Sequence, residues 1–493
     1  MILQVEKIKN KNLYIILIIT MVFFGIFMKM DFTTDTYSVL NSMPKEIFMH
    51  FMLSGRFVTA FCWGMVNVLN LSDNIIYMLS YLMAILCITF AIYELFELIN
   101  AKVKSNLVSL LISVITIINP FSIELFMYIE KGILTLAVLL SVLAVKSFVK
   151  YLEGNKKSLI WMALLMLVAV FCYQGVVGIF IAISAVFIIL YSKNIKDFIK
   201  NNFIILLGYG VPAIINFLTV RIFFVNDRVN GEIILGESIN KILQGTSSML
   251  NTYGILPKET FIILLGLIIL LAFLTIVLNK EKVSRKIVRI LSLIYLIIVT
   301  LAITIVPQIM QNTSSIWFVP RSTYCFASII GIVAMYIVLC TKDYKIKSKI
   351  EIVKITISIL AIILLIIQFY KFNGIEIDHY NVNYLDKINS LQIGNKILEY
   401  EENTGNKITN IAIYEDKNVN YTYPGIIAIG DMNITGFFPD WSIIKMINYY
   451  NGFNLVQVDK NEKIAENFKN EDWNSFNENQ IIIEGDTIHY CKF

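Results

Sequence analysis

Apolar runs long enough to cross a bilayer recur along most of the chain, near residues 13–30, 74–99, 106–123, 133–149, 158–173, 175–192, 203–225, 260–278, 288–306, 322–340 and 351–370. A helix needs roughly 20 residues to cross a ~30 Å hydrocarbon layer, whereas a membrane β-barrel shows segments of about ten residues with alternating polarity. The runs here are continuous, so helices are the spanning elements, because a helix satisfies every backbone polar group within itself. With 57% hydrophobic and 16% charged residues among 493, packing around an ordinary water-soluble core is excluded. The expected fold is mainly α: a polytopic membrane helix bundle of about eleven spans.

Basic residues orient such a bundle, since short cytoplasmic connections carry the excess of lysine and arginine. With the N-terminus placed inside, the inner connections hold Lys102 and Lys104; Lys150, Lys156 and Lys157; Lys193, Lys196 and Lys200; Lys280, Lys282, Arg285 and Lys286; and Lys342, Lys345, Lys347 and Lys349. Residues 1–370 are then the membrane bundle, and an odd number of spans puts 371–493 outside the cytoplasm. That tail reads as a small extracytoplasmic α/β domain, with short strands at 408–413, 426–429 and 481–483 and an amphipathic helix at 440–450 closed by Asn451-Gly452. The first apolar run follows Lys7, Lys9 and Lys11 without a small-residue cleavage site and reads as a retained signal anchor. Cys62, Cys87, Cys172, Cys325, Cys340 and Cys491 show no C-x-x-C spacing, and His50, His379 and His489 are scattered, so neither a disulfide framework nor a metal site is expected.

Polar residues gather at the level of the outer connections. Asp31 and Asp35 follow the first span in DFTTDTYS; Arg56 lies in Ser-Gly-Arg, within a stretch at 45–69 that reads as a membrane-surface helix. Asn119-Pro120 breaks the third run ahead of Glu124, Tyr128, Glu130 and Lys131, and Tyr173-Gln174-Gly175 makes a tight outer turn. Arg221 sits about four residues inside the outer end of its span, where an arginine costs a few kcal/mol unless paired, and Arg321 follows Pro320 on the same side. Each has an ordinary alternative: carboxylates cap helices and arginines snorkel to the interface. Their shared level points instead to an outward-facing polar site, where guanidinium groups suit a phosphate and a carboxylate suits a base. No P-loop, dinucleotide fingerprint or nucleophile elbow is present, which argues against chemistry on a soluble nucleotide, and nothing indicates nucleic acid as a partner.

Taken in order, the Asp-rich start of the first outer loop, Gly55-Arg56, NPFSIELFMY at 119–128, YQGVVGIF at 173–180 and PRS at 320–322 resemble the bacterial O-antigen glucosyltransferase II type family. The resemblance covers most of the membrane region and, more weakly, the tail. It implies a glycosyltransferase of GT-C architecture in the bacterial cytoplasmic membrane, moving a hexose, typically glucose, from a polyprenyl phosphate donor to a cell-surface glycan. A donor synthase and a flippase would act upstream, and no cofactor or metal is required. The implied base is Asp35, with Asp31 second; Arg56, Arg221, Arg321 and Lys131 would bind the donor phosphate, and Asn119, Glu124, Tyr128, Tyr173 and Gln174 the substrate. Where the family commonly has adjacent aspartates this chain has Asp35-Thr36, and Ile129, Glu130 and Lys131 stand where an Arg and an Asp follow the tyrosine. Other readings are an O-antigen polymerase, which would lean on large later loops, and a transporter, which would carry midplane charges and repeated halves.

Overall fold

The computed structural model describes residues 2–223, 234–279, 281–309, 312–340 and 347–493. Lys280, Lys342 and Lys345 of the basic connections lie outside the described residues. The chain forms two compact units, one of Met1–Met28, Phe48–Phe126 and Glu130–Phe372, the other of Lys29–Ile47, Met127–Ile129 and Asn373–Phe493.

In the first unit, α1 (Ile2–Phe24) precedes α3 (Pro44–Leu53) and α4 (Phe57–Leu69); α2 (Thr34–Leu40) between them belongs to the second unit. There follow α5 (Asp73–Val103), α6 (Asn106–Ile117), a 3-10 segment (Pro120–Phe126), α7 (Lys131–Leu152), α8 (Ser158–Cys172), α9 (Gly178–Tyr191) and α10 (Ile195–Phe223). Then come α11 (Leu235–Leu250), α12 (Thr260–Leu278), α13 (Val283–Ile309), the one-turn α14 (Tyr324–Ala327), α15 (Ile329–Cys340) and α16 (Lys347–Thr404), of which the part up to Phe372 belongs to this unit and the rest to the second. The expected surface helix at 45–69 is two helices, α3 and α4, broken at Ser54-Gly55-Arg56.

The eleven expected segments fall on helix, but they divide into two kinds. Among the described residues seven helices are long and apolar enough to cross a membrane, or eight if α6 and Pro120–Phe126, bent by 59°, form one span. The other three, α8, α9 and α15, have 15, 14 and 12 residues, about 18–23 Å at the helical rise and short of a full crossing. α9 from Gly178 to Ile188 and the whole of α15 are buried, so their all-round apolar character serves a protein interior. By contrast α10 and α12 expose Phe203, Leu206, Ile214, Ile263, Leu267 and Leu270, large side chains for which lipid is the fitting solvent.

Close helix contacts depend on small residues. A Cβ on Gly331 of α15 would lie 2.2 Å from Thr116 Oγ1 and 2.9 Å from Thr116 Cα of α6. This crossing matters because α6 ends at the bend. There the chain leaves three carbonyls without helical partners, and side chains supply them. Ser328 Oγ donates to the Thr116 carbonyl (2.8 Å), Tyr324 Oη to that of Ile117 (2.6 Å), and Gln368 Nε2 to that of Ile118 (3.0 Å).

The second unit contains a four-stranded sheet of order β2-β1-β4-β3, built from β1 (Asn410–Glu415), β2 (Val456–Gln457), β3 (Ile481–Glu484) and β4 (Thr487–Lys492). β1 pairs in parallel with β2 and β4, and β3 runs antiparallel to β4. α17 (Asp440–Asn451) ends on Gly452 in the left-handed conformation, and α18 (Glu462–Phe468) follows β2. Residues 426–429, expected as a strand, make only the isolated bridge Ile429–Met432. The α/β region expected from 371 opens inside a helix, since α16 continues to Thr404 through Asn373-Gly374. Its buried Val382, Ile393 and Ile397 join Ile411, Ile413, Phe437, Ile443 and Tyr490 in one core, which explains the continuation.

Replacing Gly331 with Val is expected to force α6 and α15 apart at a cost of about 1–3 kcal/mol. Thermal unfolding of the detergent-solubilised protein measures this, and an unchanged transition temperature would show that the crossing tolerates a side chain.

Candidate functional site

The sequence-predicted polar residues of the first unit are held by two devices. The first sits at the bend. Pro120 has no N–H and Asn119 takes over: its Oδ1 accepts from the Phe121 amide (2.9 Å), and its Nδ2 donates to Ser328 Oγ (2.9 Å). Asn119 is fully buried and its amide is engaged at both ends, so its work is to hold the turn. The 3-10 segment beyond it carries Glu124, also fully buried, which accepts from the Arg321 backbone N–H (2.5 Å) and from Arg321 Nη1 (2.6 Å). Arg321 has its own short 3-10 turn, Pro320–Ser322, to thank for this two-point contact, because the turn aims both its amide and its guanidinium at one carboxylate.

The second device surrounds Gly55. α3 ends there in a Schellman arrangement, the Arg56 amide donating to the Phe51 carbonyl and the Gly55 amide to that of Met52, with Gly55 at φ +70°. The Gly55 carbonyl accepts from Asn216 Nδ2 (2.6 Å) and Gln174 Nε2 (3.0 Å). A Cβ at this position would come within 2.5 Å of Asn216 Oδ1, so glycine is required by conformation and by space. This clasp sets the direction of the next residue. The Arg56 guanidinium lies 3.4 Å from Glu130 Oε1 and 4.8 Å from the centre of the Tyr173 ring. The two devices adjoin: a Cβ on Gly175 would sit 2.7 Å from the Tyr173 ring and 2.9 Å from the Arg321 carbonyl.

Arg56, Tyr173, Gln174, Glu124 and Arg321 are therefore brought together with Asn216 and Glu130, which the motif reading did not assign as site residues. Lys131, the first residue of α7, is fully buried with its Nζ 3.8 Å from the centre of the Tyr77 ring. Arg221 is exposed near the end of α10, about 6.0 Å from the Phe217 ring centre, and makes no ion pair among the described residues.

Asp31, Asp35 and Tyr128 belong to the second unit. Asn383 of α16 fixes the start of the aspartate segment, accepting from the Phe32 amide (2.6 Å) and donating to the Phe32 carbonyl (3.0 Å). Asn41 and Lys445 exchange side-chain to carbonyl hydrogen bonds at the segment's other end. Asp31 is half-buried, while Asp35 stands exposed in the first turn of α2. The Tyr37 and Tyr450 hydroxyls lie 3.0 Å apart, and burial pushes both phenols well above their ordinary range, so they act as protonated partners. Tyr128 Oη donates to Asp431 (3.5 Å).

Sequence reading missed a buried polar face on α16. Glu376, His379, Asn383, Asp386 and Ser390 recur at intervals of three and four, one side of a helix. Asp386 accepts from Tyr423 Oη (2.7 Å), Thr435 Oγ1 (2.5 Å) and the Gly436 amide (2.8 Å). The spacing was available as a signal, but it begins where the apolar span ends. Among the described residues no three His, Cys, Asp or Glu side chains gather in a way that could hold a metal ion.

Residues 23–338 match the profile of the family described as glucosyl transferase GtrII. The matched stretch covers well over half of the chain and contains every residue singled out above from the motifs, while α16 and the sheet fall outside it. No curated protein matches the chain.

Glu124→Ala leaves Arg321 without its carboxylate and is expected to destabilise the first unit by about 3–5 kcal/mol, the cost of an uncompensated buried charge. Pairing it with Arg321→Met should recover part of that loss. Unfolding of the single and double variants measures the coupling, and additive losses would show that the pair contributes no interaction energy.

Proposed function

Since the chain belongs to the glucosyl transferase GtrII family, we propose that it transfers glucose from a polyprenyl phosphate carrier to a cell-surface glycan on the outer face of the bacterial cytoplasmic membrane. The observation that carries the donor assignment is the setting of Arg56. It is fixed from behind by the Gly55 clasp, its side chain keeps 18% exposure, and its contact with Glu130 is a long 3.4 Å. A phosphate offers stronger paired acceptors than that contact does. Arg321, held at 2.6 Å by a fully buried carboxylate, is committed to structure and supports the site through its position. Exposed Arg221 is a second cation suited to a lipid phosphate, and Lys131 adds positive charge close to Glu130 in sequence. The basic inner connections support the orientation, with the N-terminus cytoplasmic and 371–493 outside.

In the proposed reaction the acceptor hydroxyl oxygen attacks the anomeric carbon. The bond from that carbon to the phosphate oxygen breaks, and its electron pair stays on the lipid phosphate. The hydroxyl proton passes to a carboxylate, Asp35 first and Asp31 second. Attack opposite the leaving group inverts the configuration. The exposure of Asp35 suits a base that must meet an incoming hydroxyl, and the anchoring of Phe32 by Asn383 suits Asp31 to a fixed position. Arginine stabilises the charge developing on the phosphate.

A positioned general base contributes about 10²–10⁴-fold. Asp35→Asn, inserted normally, is accordingly expected to lower transfer of labelled glucose from polyprenyl phosphate glucose in membrane vesicles by that factor, with Asp31→Asn as the parallel test. Wild-type rates from both variants would remove the base from this segment. Linkage analysis of the surface polysaccharide with and without the gene tests the wider reading: loss of one glucose branch is expected, and an unchanged glycan overturns it.

A further inference from the structure

We infer that α11 is an interfacial helix whose apolar stripe lies in the lipid of the bilayer surface while its polar arc faces water. Leu235, Ile239, Leu243 and Leu250 are 69%, 54%, 62% and 37% exposed. At about 100° per residue these four fall within roughly 80° of arc. Glu237, Asn240, Gln244 and Ser247 are exposed on the adjoining arc, centred about 120° round from the middle of the stripe. A third face, between them, is buried and built from Ser238, Gly245 and Met249.

That third face fixes the helix to the protein. Thr313 Oγ1 accepts from the Ile234 amide (2.7 Å) and lies 2.8 Å from Ser238 Oγ, and Lys241 Nζ donates to the Thr313 carbonyl (2.9 Å). Gly245 packs so closely on Phe318 that a Cβ would meet the ring at 2.2 Å. With its rotation set in this way, α11 has no freedom to turn the leucines inward. A stripe of exposed leucine and isoleucine set apart from an arc of exposed carboxylate and amide groups is the division expected of a helix lying flat at an interface.

The occupant of the stripe is lipid because the helix is carried between two elements whose own exposed surfaces call for lipid. α10 before it and α12 after it both qualify as spans and both expose large apolar side chains. The helix also has a consequence for the neighbouring site. It holds Thr313 and Phe318, the residues leading to Arg321, and Tyr253 just beyond it lies 3.3 Å from Thr323 through their hydroxyls. Lipid contact along α11 thus sets the depth at which the Arg321 turn sits.

Single cysteine variants test the assignment. The chain's own thiols give little background, five being buried and Cys62 half-buried. Ile239→Cys, Leu243→Cys, Asn240→Cys and Gln244→Cys are purified as the full chain and reconstituted in phosphatidylethanolamine and phosphatidylglycerol vesicles. A charged maleimide is then equilibrated on both sides. Cysteines on the stripe should react about tenfold more slowly than those on the polar side, since the reactive thiolate does not form in lipid. All four should label fully in SDS. Equal labelling would place the stripe in water, and protection of all four would place the helix inside the protein or the hydrocarbon. Protection in native membranes that disappears in the lipid vesicles would show a protein partner instead. Each of these overturns the inference, and none depends on glucosyl transfer.

Discussion

A helix that breaks inside an apolar bundle must find partners for the carbonyls it abandons, because lipid and hydrocarbon side chains offer none. The bend after α6 is where this constraint is met, and much of the first unit is arranged around it. Thr116, Ile117 and Ile118 present three successive orphan carbonyls, and three hydroxyl or amide side chains from α14, the turn after it and α16 each satisfy one. A buried unsatisfied carbonyl costs on the order of 1–3 kcal/mol, so the three contacts together favour this one geometry over alternatives. The bend in turn delivers Glu124 to a place where Arg321 meets it twice.

Charge and neutral polarity do different work on this scaffold. Glu124 and Arg321 are a close, buried pair whose value is to define a position, for such pairs contribute little net stability. Around Arg56 the fixing is done by neutral groups, the carbonyl of Gly55 and the amides of Asn216 and Gln174. Neutral hydrogen bonds orient the backbone without cancelling the guanidinium charge, which is left to Glu130 at longer range and to the ring of Tyr173. One arginine is thus paired at close range while the other keeps a longer contact and more of its side chain exposed.

How much of this was legible in the sequence depends on the range of the interaction. Hydropathy over windows of twenty residues located the helices, and Asn119-Pro120 marked the bend. The same windows did not separate the short α8, α9 and α15 from the longer helices, and for the enclosed α9 and α15 an apolar run reads alike whether it faces lipid or protein. The pairing of Glu124 with Arg321 spans 197 positions, and no local pattern announces it. The polar face of α16 was hidden for another reason. Asn373-Gly374 has the composition of a helix end, yet burial of the residues beyond it carries the helix onward to Thr404, tertiary packing prevailing over local propensity. The segment at 426–429 failed in the opposite sense, since isoleucines with strand propensity found only a single bridge to pair with.

The aspartate segment shows how a departure from a motif acquires a physical meaning. Thr36 occupies the place where the family commonly has a second aspartate. Here its side chain is 1% exposed, and its hydroxyl lies 3.0 Å from that of Thr33, the N-cap residue of α2. A threonine suits this site because its hydroxyl can both donate and accept, and its methyl group packs at no polar cost. A carboxylate there would lose its water with one hydroxyl as its known partner, a trade that burial makes unfavourable. The departure is thus accommodated by the fold around it. What it does is leave Asp31 and Asp35 as the acidic residues of the segment, the first half-buried and the second open to solvent.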